Sequence, residues 1–200
     1  MTSSCLRKIA ATTLLLSCAF LSINCSRKDS TASLEPTPVL SGQPNTTYPM
    51  PPWKADAIGA NMGWTLPGAK HSTIQDFQGR VLVLDFYATW CAPCRNSIPQ
   101  LKEIQSRFGP QGLQVIGLNV GGADDRVKVG EFASELKIQY PLAFPDKSLS
   151  DIVLSDNDSI PQTLVFDRQG QLVKRFIGFD ESTGLQLEQA VRSALSNVSR

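Results

Sequence analysis

VLVLDFYATWCAPCRNSIP, spanning Val81–Pro99, combines an apolar run, one carboxylate inside it, an aromatic lead-in and two cysteines in C-x-x-C spacing. Val81–Phe86 is short, continuous and rich in β-branched residues, the pattern of a strand covered on both faces. Gly79 marks a turn before it. Pro93, between Cys91 and Cys94, suits the first turn of a helix, where its missing N–H would have no partner anyway. From Arg95 onward the apolar residues Ile98, Leu101, Ile104 and Phe108 recur at helical spacing. The stretch therefore reads as a buried strand that delivers a dithiol to a helix N-terminus.

That placement has chemical consequences. Unpaired backbone N–H groups and the helix dipole favour a thiolate at Cys91, and such sites lower a cysteine pKa from about 8.5 to between roughly 3.5 and 7.5. Cys91 is the expected attacking thiol. Cys94, one turn into the helix and less exposed, is the expected resolving thiol that breaks the mixed disulfide. Asp85 sits in the apolar strand, where a charge is costly unless paired and desolvation raises the pKa. Two readings stay open for it. It is either a proton acceptor behind the dithiol, serving Cys94 directly or through a water, or a hydrogen-bonded, inert carboxylate at a frayed strand end.

A structural zinc needs four ligands. The remaining cysteines, Cys5, Cys18 and Cys25, all fall near the N-terminus, and His71 is the only histidine. A purely structural disulfide would close a tiny loop and gain little from loop entropy. The expectation is a redox-active pair with no metal and no other cofactor.

DFYATWCAPCRNSIP resembles the active-site segment of thioredoxins. The resemblance rests on Asp85 six residues before Cys91, Trp90 directly before it, Pro93 after one intervening residue, and Pro99 five residues past Cys94. It implies that Pro99 kinks the active-site helix. It also implies that Pro161, at the start of the strand Ile160–Asp167, is cis and lies beside the dithiol. The backbone of Ile160 would then be free to pair with an extended substrate chain, with Trp90 and Pro93 completing the substrate-binding surface.

The order of expected elements, β-α-β-α, a short β-α, then a β-hairpin and a final helix, describes an α/β thioredoxin fold: a central mixed sheet flanked by helices. It carries an N-terminal extension and a central insertion over residues 121–159. Strands are expected at Met62–Leu66, Leu113–Val120, Tyr140–Phe144 and Gln171–Gly178. Ser72–Phe77 reads as a short helical turn or edge element, and His71 as a solvated loop residue. Asp124 or Asp125 is expected to cap a helix running to about Leu136, with Val129, Phe132, Ala133 and Leu136 inward. Leu149–Leu154 reads as a short helix. The closing helix, Ser182–Leu195, is expected to bury Leu185, Leu187, Val191 and Leu195.

The N-terminus reads as an address. Arg7 and Lys8 precede an apolar run, Ile9–Ile23, shorter than the ~20 apolar residues a membrane span needs and suited to a signal sequence. Leu15-Leu16-Ser17-Cys18 resembles a bacterial lipoprotein box. Ser22-Ile23-Asn24-Cys25 matches it less well, yet Cys25 sits where the chain turns polar. Cys18 and Cys25 both stand as lipidation candidates. Residues 1–25 are thus a targeting segment, 26–52 a Ser/Thr/Pro-rich tether, and 53–200 the folded domain. The expected location is periplasmic or membrane-anchored, outside the cytoplasm. A net charge of +1 without a basic stripe argues against nucleic acid as a partner.

With this extension the chain resembles the TlpA/ResA group of membrane-tethered thiol–disulfide oxidoreductases, over roughly Gly59–Leu195. The resemblance implies protein disulfides or dithiols as substrates and a membrane-bound electron donor. Two departures stand out: Asp85 where the group often has Asn, and Ala92 where cytochrome-maturation reductases often carry Glu. The second weakens assignment to cytochrome c biogenesis, through haem-attachment cysteines. No histidine between the cysteines stabilises the Cys91 thiolate, so a reducing potential is expected, nearer about −270 mV than about −120 mV. Peroxiredoxin-like peroxide reduction would need a Thr at position 88, which is Ala, and a Pro that is absent between Val81 and Cys91. A copper chaperone on this fold would need C-x-x-x-C and a distant His, whereas His71 lies on the wrong side of the motif.

Overall fold

The structure, a computed structural model, describes residues 58–59, 61–68 and 70–197. The targeting segment, the tether, Cys18, Cys25 and the expected domain start at residue 53 lie outside the described residues.

Among the described residues, seven strands form one mixed sheet in the order β2-β1-β5-β4-β3-β6-β7. In chain order they are β1 (Gly63–Thr65), β2 (His71–Thr73), β3 (Val81–Tyr87), β4 (Leu113–Asn119), β5 (Leu142–Pro145), β6 (Gln162–Phe166) and β7 (Leu172–Ile177). The helices are α1 (Ala92–Phe108), α2 (Ala123–Arg126), α3 (Val129–Glu135), α4 (Lys147–Leu154) and α5 (Glu181–Ser196). The arrangement is the thioredoxin fold implied by the sequence, with β1 and β2 added at one edge.

β3 lies inside the sheet, parallel to β4 and antiparallel to β6, and every one of its residues is buried. Its side chains alternate between two apolar layers, as a period of two requires. Val81, Val83 and Tyr87 join a cluster with Ile98, Leu101, Ile104 and Phe108 of α1 and Leu187 and Val191 of α5. Leu82, Leu84 and Phe86 join the opposite layer, with Trp64 of β1 and Leu149 and Val153 of α4. Asp85 therefore points to the α1–α5 side, the side that carries both cysteines.

Four expectations are corrected. The helix expected from Asp124 or Asp125 to Leu136 is two pieces, α2 and α3, with Gly122 at the first N-cap. Asp125 turns inward instead of capping, and the Lys128 N–H closes back on the Asp125 carbonyl at 3.0 Å, which ends the first piece. β5 starts at Leu142 because Pro141 has no N–H to give the ladder. His71 is not in a loop: it opens β2, opposite Thr65, and contacts Asp146 at 2.8 Å while staying exposed. Leu185 is 73% exposed. At about 100° per residue it lies roughly 200° from Leu187, so the phase that buries Leu187, Val191 and Ala194 turns Leu185 outward. Leu195 is only partly buried, packed at the margin of the core. Pro99 lies inside α1, which runs on through it to Phe108 as one element.

Candidate active site

Cys91 is the N-cap of α1. Its backbone is extended, and its Sγ accepts a hydrogen bond from the Cys94 N–H at 3.2 Å. A sulfur held against the first free N–H groups of a 17-residue helix sits where negative charge is stabilised. Cys91 and Cys94 form a disulfide, with Cα atoms 5.3 Å apart. Both are buried, Cys94 completely and Cys91 at 4% exposure. The small difference makes Cys91 the more approachable sulfur.

Two loops close on this pair. The Ile160–Pro161 bond is cis, and the Ile160 carbonyl oxygen lies 3.6 Å from the Cys91 Sγ. In the disulfide that sulfur carries no proton, so this is packing; a reduced thiol at the same place has a hydrogen-bond acceptor facing it. Trp90, directly before Cys91 in the chain, is 67% exposed, an unusual position for an indole. Pro93 is exposed in the first turn of α1, and Ile160 packs partly buried against the α1 layer.

Asp85 is 1% exposed, pairs with Gly117 of β4 and Thr163 of β6, and is followed in β3 by two more residues, so it is not at a frayed end. Burial pushes its carboxyl up to about 7, against the hydrogen bond that Thr163 Oγ1 donates to it at 2.8 Å. Tyr87 and Tyr140 lie close enough to feel its charge; burial and then that charge push both phenols up, so they remain neutral hydroxyls. Gly117 makes the room: a Cβ there would come within 2.6 Å of Leu142 and 3.1 Å of the Tyr87 ring.

One buried carboxylate escaped the sequence reading. Asp125 accepts hydrogen bonds from the Thr89 N–H at 2.9 Å, from the Thr89 hydroxyl, and from Asn119 Nδ2 at 2.7 Å. Burial works to raise its pKa, but these hydrogen bonds outweigh it and hold the carboxyl low. Asp125 thereby clamps the segment two residues ahead of Cys91 to the end of β4. Arg95 reinforces the clamp: Nη1 donates to the Thr89 carbonyl at 3.2 Å, and the guanidinium pairs with Glu135 and covers the Phe132 ring. The one available signal was Gly121. A Cβ there would collide with the Asp125 carboxylate, but nothing in the sequence separates Asp125 from Asp124.

A sequence model of the AhpC/TSA family matches residues 58–184. The chain belongs to the AhpC/TSA family. Among its relatives, the thiol–disulfide oxidoreductase ResA of Bacillus thuringiensis (strain Al Hakam) is 29% identical over 119 residues, 60% of this chain and 66% of that one. The thioredoxin-like protein YneN of Bacillus subtilis (strain 168) is 31% identical over 117 residues, 57% and 65% of the two chains. The match thus spans about two thirds of the length of these relatives. A solved structure from Chlorobium tepidum, described as a thiol:disulfide interchange protein DsbE, superposes with a TM-score of 0.60 at 26% identity. It covers 68% of this chain and 95% of its own. ResA is a thiol–disulfide oxidoreductase by name and the Chlorobium protein a thiol:disulfide interchange protein, and this chain carries its disulfide at the start of α1.

Proposed function

We propose that this chain is an extracytoplasmic protein thiol–disulfide oxidoreductase working as a reductant. The observation that carries the reading is the Cys91–Cys94 disulfide at the N-cap of α1, with the Cys94 N–H on the Cys91 Sγ. Starting from the dithiol, the Cys91 thiolate attacks one sulfur of a substrate disulfide. The substrate S–S bond breaks, a Cys91–substrate disulfide forms, and the other substrate sulfur leaves as thiolate. Cys94 then gives its proton to Asp85 and attacks Cys91, expelling the second substrate thiol and closing the Cys91–Cys94 bond. Two electrons pass to the substrate, and a dithiol donor of the membrane must return them. Asp85 suits the proton step because its carboxyl, at about 7, exchanges protons near neutrality.

Trp90, Pro93, Ile160 and Pro161 form the surface that receives an extended substrate segment, with Ile160 offering its backbone to the substrate chain. Location outside the cytoplasm rests on Arg7, Lys8 and the apolar run after them, and anchoring rests on Cys18 or Cys25 as a lipid acceptor. Ala92 between the cysteines argues for a clientele wider than haem-attachment cysteines.

Equilibration with glutathione and dithiothreitol tests the direction. The expected potential lies near about −270 mV, and a value above about −170 mV would contradict a reductant. Cys94→Ser should trap substrates on Cys91, and mass spectrometry of the trapped species identifies them.

A further inference from the structure

Arg175 lies on β7, and its guanidinium is fully buried. A buried cation is costly unless its donors are satisfied, and here its partners run from the end of α4 through the stretch after it to the start of β6. Nε and Nη2 donate to Gln162 Oε1 at 2.9 and 2.6 Å. Nη1 bonds both oxygens of Asp156, at 3.1 and 2.9 Å. Nη2 also reaches the Val153 carbonyl at the end of α4, at 2.9 Å. Gln162 passes the constraint on. Its Nε2 donates to the Asn157 carbonyl at 2.6 Å and to the Ser159 carbonyl at 3.0 Å. With Oε1 facing a guanidinium and Nε2 facing two carbonyls, only one amide orientation is consistent. The segment between α4 and β6 has no regular structure of its own, yet it is tied at Asp156, Asn157 and Ser159. It closes on Ile160, whose carbonyl faces Cys91, and then Pro161.

We propose that Arg175 is a positioning residue: through Gln162 and Asp156 it holds the Ile160 carbonyl and Pro161 in register with the cysteine pair, and so governs how a protein substrate seats there. An apolar side chain of similar volume often serves stability as well as a buried charge does, so packing alone gives no reason for an arginine. A fork with several donors in fixed geometry is suited to holding a carboxylate, an amide and a backbone carbonyl at once. The inference rests on the thiol–disulfide exchange reading and adds the group that shapes its substrate surface.

The test compares Arg175→Met with wild type on two substrates, insulin as a protein disulfide and a small aromatic disulfide that needs no extended seating. The expected result is a loss of about tenfold in kcat/KM for insulin, carried mainly by KM. The small-disulfide rate and the redox potential should stay unchanged. Equal losses on both substrates, or no loss on either, would overturn the positioning role. Should Arg175→Met fail to fold by circular dichroism, Gln162→Met takes its place, since it frees the Asn157 and Ser159 carbonyls while Asp156 keeps Arg175 paired. The same selective loss for insulin is expected, and the same two outcomes would overturn it. A wild-type protein inactive on both disulfides would instead refute the exchange reading itself, and the inference with it.

Discussion

β3 serves two layers that differ in one residue type. Toward α4 it presents Leu82, Leu84 and Phe86 to an apolar layer. Toward α1 and α5 it presents Val81, Val83, Asp85 and Tyr87, and the layer holds a carboxylate pinned by Thr163 under a helix that begins with the dithiol. One face is built for cohesion. The other gives up some cohesion to keep a titratable group out of water, which is what moves the Asp85 carboxyl to about 7. Stability and chemistry are thus divided across one sheet, and substitutions on the two faces should have opposite signatures.

The largest expected effect is on the apolar face. Phe86→Ala should cost about 3–5 kcal/mol, from lost burial and the cavity left behind, read by urea denaturation of the oxidised protein. Disulfide exchange by the folded fraction should persist; its loss would break the division between faces. Asp85→Asn on the other face should do the reverse. Folded Asp85 holds its proton up to about pH 7, whereas the unfolded group releases it near 3.8. The folded state therefore carries no charge-burial cost from this residue below about pH 4 and the full cost above about pH 7, so stability falls as pH rises across that window. The substitution should remove that fall, gaining on the order of 4 kcal/mol at pH 8. It should also slow exchange by about a hundredfold and abolish an inflection near pH 7 in the rate profile. Stability curves of the two proteins that run parallel between pH 4 and 8 would show that Asp85 does not carry this cost. The smallest effect sharpens the boundary of the core: Leu185→Gln should change stability by no more than about 0.5 kcal/mol, and a larger loss in denaturation would place Leu185 inside the core after all.

The site divides by how local its causes are. Cys91, Cys94 and Pro93 were legible because a strand, a C-x-x-C and a helix start all lie within one short stretch. Asp85 was legible as a buried charge, but the partner that holds it, Thr163, is 78 positions away and comes from register across the sheet. Asp125 was misread as a cap because sequence shows which residues can cap, not which way a carboxylate turns. Its partners, Thr89 and Asn119, come from β3–β4 pairing and the loops beyond it. Arg175 carried no signal at all: in sequence it is one cation among the residues of the hairpin strand Gln171–Gly178.

Residue order alone settled the buried strand β3 with its carboxylate and the cysteine pair at the start of the following helix, because hydrophobic period, helix-start chemistry and the Cys–Cys spacing act over a few neighbours. Only the folded chain settled which carboxylate turns inward, where α2 ends, which leucine of α5 faces water, and which buried cation ties down the segment before Pro161. Those outcomes depend on donors and acceptors brought together from strands far apart in sequence. Their free energy is realised only when the sheet excludes water from all of them at once.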